Sequence, residues 1–332
     1  MPLPRISSCA LLCLALLSGA CAAQTPQFDA WFAADDFVAV EREAARLLAR
    51  DPADRVALLA RARLGLADAG GSRLPPGIEA MEQCLARNEA DAGCHLWMGR
   101  LLGRKAIEAG MVTGLRYAGR IREHFERAVE LAPRSIEARH SLNQFFILAP
   151  AIAGGGKTRA RENIASFARL EPAQAALLRA QLDIAQERFA EAENALLGYR
   201  GATDGEAADV WQQELASLGY RHLSAKPPRL AEAQRVMDFA AARFPKSELF
   251  RRGQGRVAQE QGRYEAAAAH FESALAIRPQ PGAHYRLAQV AEKLGDTARA
   301  ITHYEKTLRF SSGVPRSVLS DANERLKTLG AR

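Results

Sequence analysis

The sequence predicts an all-α chain of paired amphipathic helices stacked as a solenoid. Three observations carry that expectation. The composition is rich in Ala, Leu, Arg and Glu and only 7% aromatic, and such side chains lose little freedom in a helix. Apolar residues recur at helical spacing in segment after segment. Those segments end in prolines at intervals near one repeat length, as from Pro245 to Pro279 and from Pro133 to Pro172. Short helix pairs at such a period cannot bury their apolar faces alone, so each must lean on the next.

Residues 1–23 are set apart from the fold. Arg5 gives a charged start, and the apolar run from Ile6 to Leu17, about 12 residues, is too short to span a bilayer. Leu17-Ser18-Gly19-Ala20-Cys21 resembles the lipobox of bacterial lipoproteins, with Cys21 as the residue to be acylated, although Ser18 stands where a branched aliphatic is usual. Ordinary cleavage after Ala22 or Ala23 is the competing reading. The expected location is the periplasm, with lipid anchoring to the outer membrane through Cys21 as the alternative.

Residues 28–246 read as degenerate repeats. Second helices are marked by Val40, Ala44 and Leu47 before Pro52, by Ile121, Phe125 and Ala128 before Pro133, by Ala160, Ile164 and Phe167 before Pro172, and by Ala233, Met237 and Ala240 before Pro245. Weaker copies lie at Ile78 to Arg87, with Cys84 in the slot an aromatic would fill, and at Phe189 to Leu196. Insertions are expected at Ile107 to Tyr117, which holds Gly110 and Gly114, and at Leu148 to Lys157.

Residues 247–312 are regular. In a frame of about 34 residues, Gly255 falls at position 8, Gly262 at 15, Tyr264 at 17, Ala267 at 20, Phe271 at 24, Ala274 at 27 and Pro279 at 32. Leu287, Ala288, Gly295, Ala300, Tyr304 and Leu308 repeat the pattern, with the Gly295 turn one repeat after the Gly262 turn. This resembles the tetratricopeptide repeat family, in which small residues at 8, 20 and 27 let two helices touch while a ring at 24 fills the gap. The resemblance implies a right-handed superhelical solenoid of about seven to eight repeats, closed by a capping helix over 317–329. It also implies a non-catalytic scaffold that holds a protein or peptide.

Charge and motifs narrow the chemistry. Net charge is +7, from 45 Lys plus Arg, only seven of them Lys, against 38 acidic residues. A basic surface favours acidic partners, but no nucleic-acid motif accompanies it. Gly154-Gly155-Gly156-Lys157-Thr158 ends as a phosphate-binding loop ends, yet Ala151 replaces the first glycine and the preceding residues read as helix rather than strand. Nucleotide binding is therefore the remotest alternative. The simpler reading is an inter-helix loop in which Thr158 caps the next helix. An accessory factor or enzyme in cell-wall or polysaccharide assembly is the nearer alternative to a scaffold. No catalytic motif, cofactor motif or metal-ligand spacing appears, although Cys84, Cys94 and His95 fall near one another.

Cys84 and Cys94 are the two cysteines beyond the leader, one near a helix end and one near the next helix start, and are expected to pair in an oxidising compartment. The family's inner surface is lined by first-helix positions 2, 5, 9, 12 and 13. In that frame the partner-binding candidates are Arg100 and Arg104, His140 and Gln144, Arg252 and Arg256, and Tyr285 and Gln289. Arginines at successive turns of a groove would suit an acidic peptide or a C-terminal carboxylate.

Overall fold

A computed structural model describes residues 25–34, 36–68, 70–310 and 314–330. The expected leader over residues 1–23 and its Cys21 lie outside the described residues. The described residues are 79% helical and form 17 α-helices and no strand. Eight helix pairs follow one another. They are α1 (Thr25–Ala33) with α2 (Phe37–Arg50), α3 (Arg55–Ala67) with α4 (Leu74–Arg87), α5 (Ala92–Glu108) with α6 (Gly110–Leu131), and α7 (Ile136–Leu148) with α8 (Lys157–Ala168). The series continues with α9 (Pro172–Ala185) and α10 (Phe189–Leu197), α11 (Gly205–Ser224) and α12 (Leu230–Arg243), α13 (Glu248–Glu260) and α14 (Tyr264–Ile277), and α15 (Pro281–Lys293) and α16 (Thr297–Leu308). A final helix, α17 (Arg316–Thr328), fully buries only Ala322, packs Leu326 against the same cluster and exposes a mainly polar face.

Local sequence sets the helix ends. Asp36, Asp54, Asp91 and Asp296 each accept a hydrogen bond from the backbone N–H three residues on, at 2.9–3.0 Å, which satisfies donors that a helix start leaves unpaired. Pro172 and Pro281 open α9 and α15, where a missing N–H costs nothing. Pro172 thus starts the helix after the one its spacing seemed to end. Thr158 does not cap α8. That helix begins at Lys157 behind Gly156, and no side chain caps it.

Packing follows the frame. A Cβ built on Gly255 would stand 2.7 Å from Phe271 Cε1, so the first helix of that pair can sit against the ring only because position 8 carries no side chain. Phe271 is wholly buried, a contribution of roughly 1.5–3 kcal/mol by its apolar area. The same contact recurs in an irregular pair, where a Cβ on Gly99 would stand 2.6 Å from Phe125 Cε1. From these contacts one apolar seam runs from Leu58 in α3 to Val257 in α13, with smaller clusters at either end.

The expected insertion at Ile107 to Tyr117 is not a loop. Gly110, at φ 77°, turns the chain directly from α5 into α6, a conformation open to glycine at little cost. Gly114 then lies so close to Ala106 that an added Cβ would be 2.6 Å from the Ala106 carbonyl oxygen. The ten residues by which the Gly99–Phe125 separation exceeds that of Gly255–Phe271 become extra helical turns on α5 and α6. The second insertion forms a short 3-10 turn, Ala151–Ala153, followed by Gly154 at φ 83°.

Candidate functional site

The irregular elements converge on one cavity of about 890 Å³. Its walls come from the extended ends of α5 and α6, from one face along the length of α7 with Ala149 and Pro150 after it, and from the first turns of α11. α11 begins fourteen residues ahead of Gly219, which packs on Met237 much as Gly255 packs on Phe271, whereas α13 begins only seven ahead of Gly255. Those additional turns carry Glu206 and Asp209 into the cavity wall. Three departures from the regular repeat therefore build one feature.

The cavity is mainly apolar, with Leu115, Ile121, Phe125, Phe145 and Val210 among its lining. Its rim is apolar as well. Eight large hydrophobic side chains are exposed among the described residues, and five lie on the two insertions: Ile107 (78% exposed), Val112 (80%), Leu115 (41%), Leu148 (69%) and Ile152 (91%); of these Ile107, Leu115 and Leu148 line the cavity. Single exposed apolar residues are ordinary, whereas a cluster around a concavity marks a surface meant to be covered.

Arg100, Arg104, His140 and Gln144 all line this cavity. Both arginines, however, are engaged within the solenoid. Arg100 Nη1 donates to Glu137 at 2.6 Å, while its Nε and Nη2 donate to Ser141 Oγ at 3.2 and 3.1 Å. Arg104 Nε donates to Glu108 at 2.7 Å, and its Nη1 donates to the Leu66 and Gly65 carbonyl oxygens at 2.7 and 3.2 Å. Arg104 thus closes the C-terminus of α3, where unpaired carbonyls accumulate partial negative charge.

His140 is 2% exposed and sits at the cavity floor. Its Nε2 lies 2.7 Å from Glu214 Oε1 and 2.8 Å from Gln181 Nε2. Asn143 Nδ2 extends the network by donating to Gln181 Oε1 at 2.7 Å. Gln144 is exposed.

The acidic groups are the ones left over. Glu206 accepts from the Ser135 hydroxyl at 2.8 Å and from the Glu137 N–H at 3.4 Å, but meets no cation among the described residues. Asp209 has no hydrogen-bond or ion-pair partner among the described residues. Its carboxyl is raised above the ordinary aspartate range, first by the protein crowding it and then by the negative charges of Glu137, Glu206 and Asp29. Composition gave no hint of this, because the chain as a whole is basic. A signal was present in the length of the helix from Gly205, but the repeat frame does not extend that far toward its start.

The other four partner candidates lie elsewhere, on α13 and α15. Arg252 Nη1 donates to Gln280 Oε1 at 2.5 Å and its Nε to Tyr220 Oη at 3.4 Å. Arg256 stacks over the Tyr220 ring at 5.8 Å. Tyr285 donates to Asp321 Oδ2 at 2.6 Å, and Gln289 accepts from Arg286 at 3.2 Å. Arg252, Arg256 and Tyr285 thus lace successive repeats together, whereas the Gln289 contact stays within α15.

Cys84 and Cys94 are joined by a disulfide, with Cα atoms 6.2 Å apart, and link the end of α4 to the start of α5. With Asp91 they form the only cluster of three metal-ligating types drawn tightly together among the described residues. The bonded sulfurs offer no thiolate, and Asp91 is held by Arg55 at 2.5 and 3.0 Å. His95 instead meets His124, Nδ1 to Nδ1 at 2.9 Å.

The glycine loop forms no phosphate cradle. Helix α7 precedes it, and the N–H groups of Gly154, Gly155 and Gly156 donate to the carbonyls of Ala151, Pro150 and Phe146 at 2.9, 3.1 and 2.7 Å. A phosphate site needs those amides to point at the ligand.

Among the described residues, no helix is long and apolar enough to cross a membrane. No curated protein matches the sequence. The solved structures it resembles include the Cut9-Hcn1 hetero-tetramer of the APC/C, at 15% identity and a TM-score of 0.42, covering 91% of this chain and 54% of that one. The chain thus spans about half the length of that relative. A tetratricopeptide repeat protein from Parabacteroides merdae is 12% identical with a TM-score of 0.43, covering 81% of this chain and 97% of that one. The Pseudomonas aeruginosa pilF structure is 14% identical with a TM-score of 0.43, covering 72% and 99% respectively. The tetratricopeptide repeat model matches residues 229–282 and 252–315, the stretch that holds the regular frame. Residues 229–315 therefore match the tetratricopeptide repeat family, and the described residues as a whole form an all-α succession of stacked helix pairs.

Proposed function

We propose that the protein is a non-catalytic scaffold of the bacterial cell envelope that holds a partner polypeptide in the cavity between α5, α6, α7 and α11. One observation carries the reading. The departures from the regular repeat all meet at this cavity, and they surround it with apolar side chains that the fold itself leaves uncovered. Packed repeats need no such surface, and stacked helix pairs present concave faces suited to extended partners. The Cys84–Cys94 bridge supports an exported location, since such bonds persist in oxidising compartments. The leader-like segment over residues 1–23 supports it too, with Cys21 as the site of an anchor if one is added.

Two measurements test this. Intact mass of the protein isolated from its own cells should show loss of the leader, with a diacylglycerol adduct if Cys21 is the new terminus; an unprocessed chain in the cytoplasm would contradict the envelope assignment. A photo-crosslinking residue at Leu148 or Ile107 should trap one defined envelope protein, and the same residue at exposed Ile277 on α14 should not. Identical products from both positions would remove the cavity from consideration.

A further inference from the structure

The cavity's charge pattern says what kind of segment fits it. Both arginines in its wall are neutralised by the fold, Arg100 by Glu137 and Arg104 by Glu108. What remains unbalanced is negative, namely Glu206 and Asp209 on the first turns of α11. Asp29 of α1 lies close enough for its charge to be felt at Asp209, although Arg63 bonds to it. The apolar rim of Leu115, Leu148 and Ile107 faces the same space. An occupant that satisfies both features carries an apolar side chain to fill the cavity and a cation beside it.

We propose that this cavity binds a partner segment in which an apolar residue is flanked by Lys or Arg, the cation meeting Asp209 and Glu206. The proposal rests on the scaffold reading above and specifies its occupant. It reverses the expectation of an acidic partner drawn from the arginines, because those arginines commit their hydrogen bonds to neighbouring repeats. Once an occupant covers the rim, the attraction between opposite charges strengthens relative to open water, and clustered like charges at the mouth exclude an acidic competitor. Anionic lipid head groups are disfavoured by the same charges.

Three labelled synthetic helical peptides of equal length test the proposal by fluorescence anisotropy with the full mature chain. One has a Leu stripe bordered by Lys, a second replaces Lys by Glu, and a third replaces Leu by Ser. Saturable binding of the Leu/Lys peptide is expected, with the Leu/Glu and Ser/Lys peptides weaker by about tenfold or more. Asp209→Lys should reverse the Lys-over-Glu preference, and Leu148→Ser with Ile107→Ser should weaken both Leu peptides. All three positions are exposed, so circular dichroism and the thermal midpoint should stay unchanged. Equal binding of the Leu/Lys and Leu/Glu peptides, unaltered by Asp209→Lys, would overturn the cationic assignment while leaving an apolar cavity that holds partners. Peptide binding indifferent to Leu148→Ser and Ile107→Ser would overturn the cavity reading as well. Displacement of the Leu/Lys peptide by neutral phosphatidylcholine vesicles, with Asp209→Lys again without effect, would assign the cavity to lipid and refute the proposal.

Discussion

His140 and Glu214 stand 74 residues apart in the chain and meet at 2.7 Å with both side chains almost wholly buried. The contact joins α7 directly to α11, across the α8–α10 segment, and so fixes the distance between two walls of the cavity. Gln181 from α9 completes it. Replacing His140 by Ala leaves the Glu214 carboxyl without this partner in a buried site, which should cost about 1–3 kcal/mol. Glu214→Gln keeps an acceptor in place and should cost less. Guanidinium unfolding of the two variants checks the order, and equal losses would show that the pair does not act as a hydrogen-bonded unit.

Glu187 holds a backbone conformation that the regular repeats give to glycine. Its φ is 59°, against 72° for Gly262 and 78° for Gly295, and each of the three donates its N–H to the carbonyl three residues back. A side chain in the left-handed region costs about 1–2 kcal/mol, offset in part by the entropy a glycine loses on folding. Glu187→Gly should therefore stabilise the protein by about 0.5–1 kcal/mol. A lower denaturation midpoint for the variant would refute the assignment.

Acid should loosen the solenoid in a defined window. The imidazoles of His124 and His284 are each depressed to about 4, by burial first, then by a second histidine, His95 or His303, and then by Arg120 or Lys306. The unfolded chain takes up these protons near pH 6.5, before the folded one does. Stability from this source is thus complete above about pH 6.5, falls as the pH drops toward 4, and levels off below. Combining His124→Gln with His284→Gln should flatten the dependence of the urea midpoint between pH 7 and pH 4.5. An unchanged slope would place the acid sensitivity elsewhere.

Reduction should weaken the α4–α5 junction. The Cys84–Cys94 bridge closes a loop of sequence separation 10, for which chain entropy alone suggests about 2–3 kcal/mol. Replacing both cysteines by Ala should lower the unfolding free energy by about that amount under non-reducing conditions and abolish any effect of a reductant. A reductant-dependent shift in the double variant would mean that another group responds.

The sequence by itself determined the helical class, the pairing of helices and the chemistry of each pair's contact. Those follow from local periodicity and from small residues opposite rings, as at Gly255 and Phe271, and both are properties of residues near in the chain. It also marked Ile107 to Tyr117 and Leu148 to Lys157 as irregular. What it did not determine was that the two irregular stretches meet, because no local pattern encodes the approach of α7 to α11 through His140 and Glu214. Nor did it show which charges stay unpaired. Arg100 and Arg104 read as available cations until the fold places Glu137, Ser141 and the end of α3 against them, whereas nothing in the sequence set Asp209 apart. Only the tertiary structure decides which side chains commit their hydrogen bonds within the fold and which remain to meet a partner, since that depends largely on neighbours from other repeats.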